Sequence, residues 1–202
     1  MTPRLGGDPP ALSSSSHVIA LLSCESSIGE GARIVTDIAV ETQPDATFPS
    51  GGNLVIERRD GRYRALAARP FAAGEVVVRL EGRVRAHADR YSIQIGVDGH
   101  LVVPPGADPR EVVARYPWRF LDHACDPSAA FRGWELVARR DLAPLDEVTF
   151  DYETTEWELA VPFRCACGEA ACRGEIRGFR FLAPDTARRL PEVAAHLLVR
   201  TS

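Results

Sequence analysis

"RCACGEAACRG", residues 164–174, holds three of the chain's five cysteines within eight positions. Cys165, Cys167 and Cys172 form C-x-C-x4-C, and Gly168 lets the chain turn tightly between them. Thiolates so close can all face one ion, and Zn2+ held by four sulfurs at about 2.3 Å is a common closed site of this kind. Three ligands leave one position open, and the candidates are Cys24 and Cys125. The spacing matches no usual iron–sulfur pattern, and ordinary buried thiols explain so tight a cluster poorly.

Composition bounds what this site serves. The chain has 202 residues, 45% of them hydrophobic, enough for one well-packed domain with a small appendage. Its net charge of −4 predicts no nucleic-acid partner, since such a partner calls for a basic face. No apolar run approaches the ~20 residues of a membrane span, so no membrane partner is expected either. In "HVIALLSC" the apolar core Val18 to Leu22 is shorter than the ~7–15 residues of a secretory segment, and only Arg4 precedes it as a cation. A cytoplasmic location follows as the expectation, and reduced thiols there favour metal over disulfide. All 24 basic residues are arginine.

Residues 1–27 read as a disordered tail of breakers and polar filler, "GGDPP" and "SSSS". "ARIVTDIAVET" is a weak strand candidate and "PSGGN" a turn. The runs "NLVIE", "YRALAA" and "EVVVRL" have β character, and "YSIQIGVDGHLVV" reads as a hairpin turning at Asp98-Gly99. "DPREVVARYPWRF" predicts a brief helix with Asp108 as N-cap and Pro109 at its first position, ending before Pro117. "WELVARRDL" and "DEVTFDY" return to β, and residues 183–202 are amphipathic enough for a terminal helix. Many short strands with few helices read as mainly β.

Four segments, in order, resemble one family, the SET-domain methyltransferases. "RYRALAARPFAAGEVVVRLEG" is similar to its opening strand pair, and "RFLDHACDP" to its "RFxNHSCxPN" motif. "LDEVTFDY" resembles "GEELTFDY", and "CACGEAACRG" resembles its post-SET cysteine segment. The resemblance covers roughly residues 53 to 182. It implies a β-clip SET domain over 28–162, with the second and third segments threading past each other in a pseudoknot, and a post-SET zinc segment over 163–182. It also implies Cys125 as the fourth ligand of one structural Zn2+, beside Cys165, Cys167 and Cys172.

The same resemblance implies transfer of a methyl group from S-adenosylmethionine to a lysine ε-amine of a protein. A repurposed enzyme acting on a free amino acid or small amine, and a non-catalytic binding module, are the rival readings. Free lysine has a pKa near 10.4, so an apolar channel and the nearby sulfonium have to favour its neutral form. Tyr152 matches the catalytic tyrosine that orients the amine, and Tyr91 is expected to line the amine's channel. The cofactor residues carried over are Arg119, Asp122, His123 and Phe163, with Arg62, Tyr63 and Arg64 standing where the family has glycine-x-glycine. Asp122 replaces the motif asparagine and Ala124 the serine. Trp157 reads as channel wall or core. Glu153, Glu156 and Glu158 are expected to give the mouth a negative field that attracts a cationic substrate.

Overall fold

A computed structural model describes residues 45–200, so the weak strand candidate at 32–42, Cys24 and the tail expected at 1–27 lie outside the described residues. The strands, in chain order, are β1 (Ala46–Ser50), β2 (Leu54–Arg59), β3 (Arg62–Ala67), β4 (Val76–Arg79), β5 (Arg83–Arg85), β6 (Ile93–Gly96) and β7 (Gly99–Val102). After helix α1 (Pro109–Arg115) come β8 (Asp122–His123), β9 (Ala129–Arg132), β10 (Glu135–Ala138), β11 (Thr149–Phe150), β12 (Phe163–Arg164) and β13 (Glu175–Ile176). Two short helices follow, α2 (Pro184–Arg189) and α3 (Ala195–Val199).

The strands pair in small sheets, ordered β1-β2-β3, β4-β10-β9 and β5-β7-β6, with the two-stranded pairs β11-β8 and β12-β13. Alternation in β2 puts Leu54 and Ile56 inside, where they meet Ala65 and Ala67 of β3, Val77, Leu101, Leu136, Val148 and Phe150 in one buried cluster. Trp118, 2% exposed, belongs to that cluster and donates its indole N–H to the Glu81 carbonyl at 2.9 Å. The small sheets are joined edgewise: Val148 N–H donates to Ala65 O at 2.8 Å and Ala67 N–H to Asp146 O at 2.9 Å. This is the mainly β architecture with few short helices that the sequence implies.

α1 begins as expected, with the Asp108 carboxylate accepting from Arg110 N–H at 2.8 Å and Pro109 in the first turn. Two details differ. The hairpin between β6 and β7 turns at Val97-Asp98 rather than Asp98-Gly99, because a bulge between Gln94 and Gly96 shifts the register. The single terminal helix expected over 183–202 is two short ones, separated by Pro191, whose ring a continuous helix does not accommodate.

β8 and β11 position the site. They run parallel, Thr149 opposite Asp122 and Phe150 opposite His123, and Ala124 N–H continues the contact to Phe150 O at 3.3 Å. Sequence segments some 27 residues apart are thereby laid side by side, which is the crossing that the pseudoknot requires.

Candidate active site and metal centre

Cys125 lies two residues past the end of β8, and the other three cysteines lie in the loop whose ends β12 and β13 hold together. Cys165 N–H donates to Gly174 O at 2.6 Å and Cys172 N–H to Glu169 O at 3.0 Å, which folds the loop back on itself. The four Sγ atoms all lie within 4.8 Å of one another, and those of Cys125 and Cys165 are 3.9 Å apart. A tetrahedron of ~2.3 Å zinc–sulfur bonds has sulfur–sulfur edges of about 3.8 Å, so the group fits one Zn2+. Burial foremost, with the neighbouring cysteines adding to it, pushes the Cys125 thiol up to about 11 and the Cys165 thiol up to about 12. A bound divalent cation reverses that preference, since a coordinating thiol is deprotonated outright.

Backbone and imidazole donors already face these sulfurs. Arg173 N–H is 3.4 Å from Cys125 Sγ, and Cys167 N–H is 3.4 Å from Cys165 Sγ. His123 Nδ1 accepts the Tyr152 N–H at 3.2 Å, so Nδ1 carries no proton. Its proton therefore sits on Nε2, which faces Cys125 Sγ at 3.4 Å. Burial, then the charge of Arg173, holds the His123 pKa down at about 3, so the ring stays neutral. One histidine thus ties the metal group to the candidate catalytic tyrosine.

Tyr152 lies at the start of the 3-10 turn Tyr152–Thr154, just past β11. Its ring packs with Phe150 at 4.7 Å, His123 at 5.3 Å and Phe163 at 5.8 Å between centroids. Its hydroxyl donates to Leu121 O at 2.7 Å, which leaves the phenolic oxygen free to accept. Burial first, then the charges of Asp122 and Glu156, raise its pKa above the ordinary tyrosine value. The phenol therefore stays neutral and acts as a fixed dipole, not a base. Phe163 also meets the edge of His123 at 5.7 Å, so it belongs to this aromatic group.

The glutamates depart from expectation. Glu153 is 1% and Glu156 4% exposed, and only Glu158 is open to solvent, where it pairs with Arg180 at 2.5 Å. They form no negative mouth. Arg173 bridges Asp151 at 2.5 Å and Glu153 at 2.8 Å, while the second Glu153 oxygen accepts the N–H groups of Arg177 and Gly178, each at 3.2 Å. Gly178 has φ +116°, and a Cβ there lies 2.7 Å from Glu158 Cα and from Trp157 O, so only glycine fits. Arg173 was missed by sequence reasoning. Its signal was a basic residue directly after the last cysteine and two acids flanking Tyr152.

The residues in place of glycine-x-glycine begin β3. Arg62 reaches Asp122 at 3.9 Å with its side chain 79% exposed, and Arg64 pairs with Glu57 at 2.5 Å and Glu147 at 4.0 Å. Tyr63 packs on Phe120 at 5.2 Å. Burial raises the Asp122 pKa, against the opposing charges of Arg62 and Arg64. Tyr91 joins none of the ring contacts around Tyr152. It is 42% exposed, and the Arg119 guanidinium lies 4.0 Å from its ring centroid. Trp157 donates its backbone N–H to Gln94 Oε1 at 2.8 Å, and its ring packs with Phe179 at 6.3 Å and carries the Arg200 guanidinium at 5.5 Å.

No family model matches the chain. Among curated proteins, it is 41% identical over 63 residues to "Methyltransferase flvH" of Aspergillus flavus, a match covering 29% of this chain and 35% of that one. It is 29% identical over 126 residues to "Probable histone-lysine N-methyltransferase lin-59" of Caenorhabditis elegans, covering 58% of this chain and 9% of that protein. To "Histone-lysine N-methyltransferase ASHH1" of Arabidopsis thaliana it is 32% identical over 74 residues, or 31% of this chain and 15% of the other. These matches span about a third of the relatives' length or less. Among solved structures, KRYPTONITE in complex with mCHG DNA and SAH aligns with TM-score 0.42 at 20% identity, over 56% of this chain and 26% of that one. Over 29–58% of its length the chain is thus similar to proteins named methyltransferases, two of them named for histone lysine.

Proposed function

We propose that the chain is an S-adenosylmethionine-dependent N-methyltransferase whose acceptor is a lysine-like amine. The observation that carries this reading is Tyr152, a buried neutral phenol fixed by Leu121 O at the β8–β11 crossing, with an acceptor lone pair to spare. Relatives named methyltransferases support it.

The donor set suits the cofactor. A methionine head group carries one carboxylate and one ammonium, and Arg62 and Asp122 set opposite charges 3.9 Å apart on one face. When bound, S-adenosylmethionine supplies an activated methyl group. Asp122 would hold the ammonium and Arg62 the carboxylate. Tyr152 accepts an N–H of the incoming amine and so points the nitrogen lone pair away from itself, while Phe150, Phe163 and His123 keep water from that nitrogen. The exclusion of water favours the neutral amine. Zinc, when bound, serves only to fix the 165–174 loop against Tyr152. Thiols grouped in this way also suit a reducing, cytoplasmic location.

The acceptor is either a lysine of a protein, as the histone-lysine methyltransferase relatives suggest, or a free amine. The test is incorporation of labelled methyl into added amines, with cofactor affinity measured by calorimetry. Tyr152→Phe removes one hydroxyl with little change of shape, and the expected loss is ~10²–10³ in rate with cofactor affinity kept. The chain has no lysine to label itself, so ε-methyl-lysine in the products comes from the added substrate. A Tyr152→Phe protein that transfers at the wild-type rate would sink the reading.

A further inference from the structure

The strand edge beside Tyr152 is closed from within. β6 is an edge strand of β5-β7-β6 and lies against the segment that carries Tyr152 and Glu156. Its outward Gln94 N–H donates to the Glu156 carboxylate at 2.7 Å. The Gln94 side chain donates to Gly96 O at 2.9 Å and Val97 O at 3.2 Å, and accepts the Trp157 N–H at 2.8 Å. Arg200 adds a donor to Val97 O and reaches Asp98 at 3.0 Å. Gln94 is 3% and Glu156 4% exposed, so an incoming chain would have to break buried hydrogen bonds. Each costs about 1–3 kcal/mol if a group is left unsatisfied. Pairing of an extended polypeptide along this edge needs free N–H and C=O groups, and the Gln94 N–H and the Gly96 and Val97 carbonyls are taken. On the other side, Ala194 N–H donates to Thr154 O at 2.8 Å and His196 Nε2 to Thr155 O at 2.7 Å, so the chain around α3 covers that approach.

What stays open near Tyr152 is cationic. Arg90 and Arg119 flank the exposed Tyr91 ring, their guanidinium carbons 5.7 Å and 4.0 Å from its centroid. Among the described residues neither is within salt-bridge distance of a carboxylate. Asp89, the nearest acid, is already engaged by Arg85 at 2.5 Å and by the Tyr91 N–H at 2.7 Å. Arg119 stands two residues before Leu121, whose carbonyl holds the Tyr152 hydroxyl at 2.7 Å, so the Arg119–Tyr91–Arg90 group lies at the hydroxyl end of that tyrosine. Two unpaired guanidiniums repel a lysine-rich tail and suit a carboxylate, which arginine binds through paired N–H donors.

We propose that the acceptor is a small free amino acid, its carboxylate held by Arg90 and Arg119 and its amine presented to Tyr152, and not a lysine within an extended polypeptide. The proposal rests on the N-methyltransferase reading above and names its substrate class.

The experiment compares L-lysine with cadaverine, which lacks only the carboxylate, and with lysine-bearing histone-tail peptides, using labelled S-adenosylmethionine. The same ligands are titrated calorimetrically into the protein saturated with S-adenosylhomocysteine. L-lysine is expected to exceed cadaverine by about 10- to 100-fold in kcat/KM and in affinity, as one charged hydrogen-bonded contact gives. The Arg90→Gln, Arg119→Gln double variant, titrated as its S-adenosylhomocysteine complex, should bring the two ligands level in affinity as well as in kcat/KM. Peptides that outcompete free lysine, or a lysine preference that survives the double variant, overturn the proposal. Cofactor binding without transfer to any amine overturns the methyltransferase reading instead, and the proposal falls with it.

Discussion

Arg173 donates through its backbone to the Cys125 sulfur and through its guanidinium to Asp151 and Glu153, and Tyr152 stands between those two acids in the chain. Both carboxylates are nearly inaccessible, so they depend on this cation for their charge to be tolerated. Removing one partner of a buried ion pair costs about 3–5 kcal/mol. Arg173→Ala is therefore expected to lose about that much in urea denaturation and to lower methyl transfer with it. Arg173→Lys keeps the charge but replaces a planar fork by a point donor, so it should recover only part of both losses. An Arg173→Ala protein as stable as the parent would show that the bridge contributes nothing. The cysteines were legible because few chemistries use C-x-C-x4-C. Glu153 was not: three acids in six residues read as an open, negative mouth, and its counter-ion lies 20 residues on, in a loop that only folding brings back.

At the scale of elements, alternation and turn residues made β2, β3, β6 and β7 readable, as the Asp108 cap made α1. The bulge in β6 was not readable, since it depends on Gln94 turning back onto Gly96 and Val97 and on Glu156 meeting the strand from another segment. That meeting has a pH consequence. Burial raises Glu156 to about 7, against the bonds from Gln94 and Thr155 that lower it. Between the ordinary value of about 4.5 and about 7, the folded chain binds a proton that the unfolded chain releases. Its contribution to stability is thus present below pH 4.5 and is lost as pH rises through 7. Glu156→Gln removes this group from the titration. Relative to the parent, the variant should gain up to about 3 kcal/mol on going from pH 4.5 to pH 8. Asp151, which burial raises to about 6, is common to both proteins and cancels in the comparison. Urea midpoints that differ by the same amount at both pH values would show that Glu156 does not titrate in this window.

For the whole molecule, the described residues form sheets of only two or three strands, and the two-stranded pairs are marginal on their own. What unites them is the buried cluster running from Leu54 and Ile56 through Trp118 to Phe150, which stands without any help from the cysteines. The 163–176 segment is different. Two residue pairs in β12-β13, the Arg173 bridge and the cysteine group tie it down. A structural zinc there should therefore stabilise the segment and its neighbour Tyr152, and not the fold as a whole. One zinc per chain is expected by elemental analysis. Cys125→Ser should lower metal content as much as Cys172→Ser, whereas Cys24→Ser leaves it unchanged. After chelation, hydrogen exchange should quicken over residues 163–177 and at the amides of Tyr152 and Glu153, while β2 and β3 keep their protection. The amide of Tyr152 is the informative one, because its hydrogen bond to His123 Nδ1 depends on a ring whose other nitrogen faces the Cys125 sulfur. Protection lost equally in β2 and β3 would make the metal a condition of the whole fold. Protection unchanged everywhere would sever the link between the metal loop and the tyrosine.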